Sequence, residues 1–214
     1  METLSVEQIG QAGLRDWRQL ARGLHGRFRT RSYAAGLAFV AAVSEVAEEM
    51  NHHPDVRLTY PRVDLRLWSH DAGGITERDL DLARRVSQIA AEQGIAAVPE
   101  EVEEVEVALD TADASRVAPF WAAVLTGDAS NVDGPQVIDP TGRVPLLWFQ
   151  QTDPHETPRQ RFHLDVWVPP EVARQRIDAA LAAGGTVADD EPETFTVLAD
   201  PDGNRVCTCT VEGR

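Results

Sequence analysis

The feature that most limits how this chain can fold is a repeat confined to its second half. An alternating stretch at 105–110 leads into a helical pattern at 113–125, and a second at 162–168 leads into one at 170–183. Each copy then reaches a similar turn: Asp139-Pro140-Thr141-Gly142-Arg143 in the first, Asp200-Pro201-Asp202-Gly203-Asn204 in the second. Asp-Pro starts such a turn and Gly supplies a positive φ, so each run marks a hairpin. Strand, helix, then strands around that turn, twice over, predicts a tandem βαβββ domain. The residues upstream must build a fold of their own, and 214 residues suffice for two domains of about 100 each.

Charge divides the chain at the same place. Residues 1–99 hold 12 Arg against 13 Asp and Glu, residues 100–214 hold 8 against 22, and the net charge is −15. Gly94 ends a helical pattern, and Pro99 precedes the acidic run Glu100, Glu101, Glu103 and Glu104. Domains are therefore expected at 1–98 and 105–214, with a linker at 99–104. The acidic balance argues against nucleic-acid and anionic-membrane partners, which need cationic footprints. No apolar run approaches the roughly 20 residues of a membrane helix. The opening Met-Glu-Thr-Leu-Ser-Val-Glu lacks the features of a secretory signal, so a cytoplasmic location is expected. All 20 basic residues are Arg, which removes lysine Schiff-base chemistry. Cys207 and Cys209 are two apart in a strand-like run, poor geometry for a bridge between them, and no second Cys or His pair stands at metal-ligand spacing.

In the first half, Tyr33, Leu37, Val40, Val43, Ala47 and Met50 recur at helical spacing and predict an amphipathic helix over 32–50. An earlier helix is expected over 6–22, with Leu14 and Trp17 inward. Val56, Leu58 and Tyr60, then Val63, Leu65 and Leu67, alternate as two strands with one apolar face each. A turn at Asp71-Ala72-Gly73-Gly74 follows. Thr76-Glu77-Arg78-Asp79 then opens a helix to about Gln93, with Leu80, Ala83, Val86 and Ala90 inward and Gly94 as its stop. Hairpin-linked strands between helices give an α+β class, with helices layered on an antiparallel sheet.

One constellation in this half can carry chemistry. The helix over 32–50 delivers Asn51, His52 and His53 just past its C-terminus, where unsatisfied carbonyls would stabilise an imidazolium. Pro54 forces the chain out of the helix. On the second strand Val63, Leu65 and Leu67 share one face, while Asp64, Arg66, Trp68 and His70 share the other. Three imidazoles at one helix end and one strand end could serve as acid and base near neutral pH. They could equally be solvated residues or a zinc site, although neighbouring His52 and His53 are a poor ligand pair and no fourth ligand is evident. Asp79, three residues after Thr76, also fits a capping box, and Glu48 fits a solvated helix end.

Glu48, Asn51-His52-His53-Pro54, Tyr60, His70 and Gly74-Ile75-Thr76-Glu77-Arg78-Asp79 together resemble the pterin-4a-carbinolamine dehydratases, without gaps, over roughly residues 5–95. The resemblance implies an enzyme that dehydrates 4a-hydroxytetrahydropterin to a quinonoid dihydropterin. It implies proton transfer by His52 and His70 with support from Asp79, and a substrate pocket formed by Glu48, Asn51, His53, Pro54, Trp68, Ser69 and Asp71. It further implies no cofactor or metal, a small-molecule pterin as partner, and a homo-oligomer. Trp68 and Asn51 depart from the residues usual there. A dimerising or ligand-binding module on the same fold is the alternative.

The second half resembles the glyoxalase-like branch of the vicinal oxygen chelate superfamily, through Phe120-Trp121, Arg161-Phe162-His163-Leu164-Asp165 and Asp200-Pro201-Asp202-Gly203-Asn204. The positions that hold metal in that superfamily correspond to Glu106, Leu146 or Leu147, His163 and Cys207. Leu cannot ligate, so the resemblance implies a lost metal site. Trp121, Trp148 and Trp167 are candidates for the wall of an apolar pocket, although aromatic residues in such strands more often belong to the core, and the main activity could reside in this half.

Overall fold

A computed structural model describes residues 2–102, 107–154, 164–167, 170–190 and 195–209. The chain separates into two compact units, Met1–Glu104 and Val105–Arg214.

The first unit contains α1 (Val6–Gln11), β1 (Trp17–Leu20), β2 (Gly23–Arg29), α2 (Tyr33–Met50), β3 (Asp55–Thr59), β4 (Arg62–Leu67), α3 (Glu77–Glu92) and β5 (Ala96–Ala97). Its sheet is antiparallel in the order β1-β2-β4-β3, with β5 also paired to β2. The helix expected over 6–22 is instead a six-residue helix followed by a hairpin. A Ser5–Gln8 capping box starts α1, and Gly13 leaves it at a φ of 70°. Trp17 then runs in a strand, its ring edge-on to Phe28 at 5.7 Å and its Nε1 donating to Ser87 Oγ at 3.1 Å. Burial of that aromatic surface overrides the local helical spacing.

Ser32 caps α2 by accepting from the Ala35 N–H, and Gly36, Phe39, Val43 and Ala47 form the buried face. Tyr33 and Leu37, expected inward, are 54% and 57% exposed. At Gly36 a Cβ would lie 2.6 Å from Leu58 Cδ1, so a larger residue there would require the Leu58 side chain to move. In α3, Leu80, Ala83, Val86 and Ala90 are buried as their spacing predicts. They meet Val63, Leu65 and Leu67 of β4 and the mutually tilted rings of Phe28 and Phe39. β3 is an edge strand: Leu58 packs against the core, while Val56 near its start is 42% exposed and Tyr60, past its end, is exposed. Pro99–Glu101, within the segment expected to be a linker, is a turn of 3-10 helix built onto the sheet. Arg27 donates to the Glu101 carbonyl at 2.6 Å, and Arg29 ion-pairs with the Glu101 carboxylate.

The second unit contains β6 (Val107–Thr111), α4 (Ala114–Thr126), β7 (Gln136–Val137), β8 (Leu147–Gln151), β9 (Leu164–Trp167), α5 (Pro170–Ala182), β10 (Thr186–Asp189), β11 (Phe195–Ala199) and β12 (Arg205–Cys209). Among the described residues two sheets form, β6-β8-β7 and β10-β11-β12-β9. The repeat is written in their pairing. In each module the opening strand runs parallel to the strand that follows the Asp-Pro-x-Gly turn, β6 with β8 and β9 with β12. α4 supplies Val117, Phe120 and Trp121 to a core shared with Leu147, Phe149, Leu198 and Val206. Of the two places the sequence left open for Trp121, a pocket wall or the core, the structure gives the core, where it is 2% exposed. Among the described residues no helix is long and apolar enough to cross a membrane.

Candidate active site

The site is built where the C-terminus of α2, the end of β4 and the N-terminus of α3 converge. Asn51 closes α2 in the left-handed conformation, φ 46° and ψ 44°, which Asn tolerates better than most residues. The Asn51 and His52 N–H groups both reach the Ala47 carbonyl, and Asn51 also reaches that of Glu48. These helix-end carbonyls therefore already have donors. The group that holds the His52 imidazole is a carboxylate from another element: Asp79 Oδ1 lies 2.7 Å from His52 Nε2.

Asp79 is completely buried and His52 is 7% exposed. The second oxygen of Asp79 accepts from Ser69 Oγ at 2.7 Å, the Thr76 N–H at 2.7 Å and Thr76 Oγ1 at 3.1 Å, and the two hydroxyls lie 2.8 Å apart. A carboxylate only accepts, so the proton in the His52–Asp79 bond sits on Nε2, and Nδ1 is the nitrogen left to act elsewhere. The Thr76 N–H bond to Asp79 is also the return arm of a capping box at the start of α3. Capping and support of the histidine are thus one arrangement.

Ser69 brings the third histidine to this end of the sheet. Its carbonyl accepts from the N–H groups of Ala72, Gly73 and Gly74, closing a tight turn, and its own N–H donates to the Gly74 carbonyl. His70 starts that turn, exposed, with its ring 6.1 Å from the Trp68 ring. It therefore lies just past β4, not on it. Asp71 is also exposed and bonds the Arg78 guanidinium, which holds its carboxyl below the ordinary Asp range. His53 is 53% exposed, its Nε2 3.2 Å from Glu48 Oε1. Asn51 is exposed and Pro54 half-buried beside them.

The structure so divides the residues singled out in the sequence. His52, Asp79 and Ser69 form a buried hydrogen-bonded cluster. Glu48 with His53, Trp68 with His70, and Asp71 with Arg78 are separate, more exposed pairs. Sequence reasoning gave Thr76 only a capping role and passed over Arg22 and Arg66, whose guanidinium carbons lie 5.7 and 5.2 Å from the Trp68 ring centroid. Strand alternation carried a signal for Arg66; none pointed to Arg22, which follows Ala21 in the β1–β2 turn.

In the second unit, Leu147 is buried in the core and Cys207 is buried on β12. Glu106, Arg161, Phe162, His163 and the Trp167 side chain lie outside the described residues. Among the described residues, no group of three or more His, Cys, Asp or Glu side chains is placed to hold a metal.

Family models match both units: the pterin 4 alpha carbinolamine dehydratase model over residues 2–89, and a glyoxalase-like domain model over 106–209. A protein of Thermomicrobium roseum, provisionally named a pterin-4-alpha-carbinolamine dehydratase, is 43% identical over 75 residues, which is 35% of this chain and 81% of that protein. One of Nocardia farcinica with the same provisional name is 40% identical over 91 residues, 42% of this chain and 96% of its own. A solved structure from Brucella melitensis, titled a transcriptional coactivator/pterin dehydratase, is 29% identical over 42% of this chain and 99% of its own, with a TM-score of 0.40. Through its first unit the chain belongs to the pterin-4a-carbinolamine dehydratase family, and a glyoxalase-like domain follows.

Proposed function

We propose that the first unit dehydrates a 4a-hydroxytetrahydropterin to the quinonoid dihydropterin and water. The observation that carries this reading is the buried Asp79, which fixes His52 and Ser69 together and so sets His70, the next residue, at the same end of the sheet. The reaction breaks the C4a–O bond with a proton delivered to the departing hydroxyl, and removes the proton on N5. It is redox-neutral and needs one acid and one base, roles that imidazoles fill near neutral pH. In this reading His52, oriented by Asp79, and the accessible His70 move the two protons. His53, leaning on Glu48, binds the pterin, and Asn51, Pro54, Trp68, Ser69 and Asp71 shape the pocket.

The test is dehydration by the purified full chain. His52→Ala and His70→Ala should each slow turnover by about 10²–10⁴-fold, the range for lost acid–base catalysis. Variants that turn over like the parent would defeat the reading.

We also propose that the chain self-associates, as its family membership suggests. Edge strand β3 exposes Val56 between the opposite charges of Asp55 and Arg57, and Tyr33, Leu37 and Tyr60 are exposed on the same unit. An unpaired edge and exposed apolar side chains favour association with a second copy. Sedimentation should find an oligomer that Val56→Asp weakens; a parent that sediments as a monomer would refute this.

A further inference from the structure

The surroundings of His70 bear on which pterin the site takes. β4 points Val63, Leu65 and Leu67 into the core, which leaves Asp64, Arg66 and the following Trp68 on the opposite face. Arg66 on β4 and Arg22 from the β1–β2 turn both place a guanidinium within 6 Å of the Trp68 ring centroid. The same ring lies 6.1 Å from the imidazole of His70. Two cations are thus held on one indole, one aromatic ring away from a proposed catalytic group.

Their charge is poorly neutralised. Arg66 pairs with Asp55 at 3.1 Å, but that carboxylate is 62% exposed, so solvent weakens the pair. Arg22 makes no ion pair among the described residues. The indole Nε1 is buried without a hydrogen-bond partner among the described residues, so the ring is held there by packing and by the two cations. Across the strands from Arg66 stands His25, 8% exposed, whose pKa is lowered first by burial and then by Arg66. This end of the sheet disfavours a further positive charge. The net −15 of the chain repels anions at long range, but beyond the roughly 8 Å screening length at physiological salt it has little force, and the local arginines decide.

We infer that the pterin bound by this site carries an anionic group, a phosphate or a carboxylate, on its side chain, and that Arg22 and Arg66 on Trp68 bind that group. This inference rests on the dehydratase reading. Guanidinium is suited to it, because its fork matches the oxygens of either anion and its weak hydration lets it work beside an aromatic ring.

Equilibrium binding to the full chain would test it, with three unreactive dihydropterins. One has a neutral polyhydroxylated side chain, one the phosphate ester of that side chain, and one a side chain ending in a carboxylate. The phosphate ester should bind about tenfold or more tightly than the neutral compound, a gain of about 1.4 kcal/mol, with the carboxylate between them. The preference should shrink as salt rises and collapse toward unity in Arg22→Gln. Equal affinity for all three, or a preference unchanged in Arg22→Gln, would overturn the inference and leave the dehydratase reading standing. Failure of all three to bind would remove both.

Discussion

Asp79 in the first unit and Asp200 in the second are both buried carboxylates, 0% and 4% exposed. Each is well supplied with donors. Asp200 accepts from the N–H groups of Asp202 and Asn204 on one oxygen, and from Trp121 Nε1 and Asn204 Nδ2 on the other, at 2.8–2.9 Å. Every one of those donors is a peptide, an amide or an indole, which neither gains nor loses a proton near neutral pH. The result is a rigid turn tied to α4. Asp79 spends one oxygen on a capping box and two hydroxyls, and the other on an imidazole. Burial and a satisfied charge are common to both; what makes one of them a candidate site is that its partner can move a proton.

The largest effect should come from Asp79→Ala. It leaves His52 Nε2, the Ser69 hydroxyl and the Thr76 N–H in the interior without their acceptor, at about 1–3 kcal/mol for each unsatisfied buried group. In urea the unfolding transition of the first unit should move to much lower denaturant, and dehydration should be lost. Asp200→Ala should cost the second unit about 1–3 kcal/mol, the penalty for unsatisfied buried donors, while dehydration by the first unit persists. If that variant kept a folded second unit yet lost dehydration, the contrast between the two carboxylates would fail.

A smaller effect should come from His25, paired across the strands with Arg66. Because the folded-state pKa of His25 lies below 6.5, the unfolded chain binds this proton more readily than the folded one. The contribution is complete above pH 6.5 and is lost as pH falls through the depressed folded value. Denaturation midpoints of the first unit should therefore drop on acidification below pH 6.5, and less steeply in His25→Gln. Parallel pH curves for the two proteins would rule out this role for His25.

How much of this was legible in the sequence depends on the range of the interaction. α2 and α3 were readable, α3 with its cap at Thr76, because helical spacing and capping are local. β1 and β2 were not: Trp17 fits a helix by spacing, and it becomes a strand residue only because Phe28 and Ser87 receive it. Tyr33 and Leu37 were read inward because spacing identifies an apolar stripe without saying how far the sheet covers it. Of the site, the run from Asn51 to Pro54 and the positions of His70 and Asp79 stood out, but the distinction between a buried His52 and an exposed His53 did not, since adjacent identical residues carry no directional signal.

By itself the sequence determined the number of modules, the repeated Asp-Pro-x-Gly turns, the two long helices of the first unit and the residue types gathered at its candidate site. Those follow from local periodicity, backbone preferences and side-chain chemistry. The tertiary structure alone decided that Asp79 faces His52, that Trp121 reaches Asp200, and that Arg22 and Arg66 meet on Trp68. Those partners are 27, 79, 46 and 2 positions apart in the chain. For the distant ones only the packed arrangement of elements brings the groups together, and even Arg66 and Trp68 share a face only because β4 is a strand.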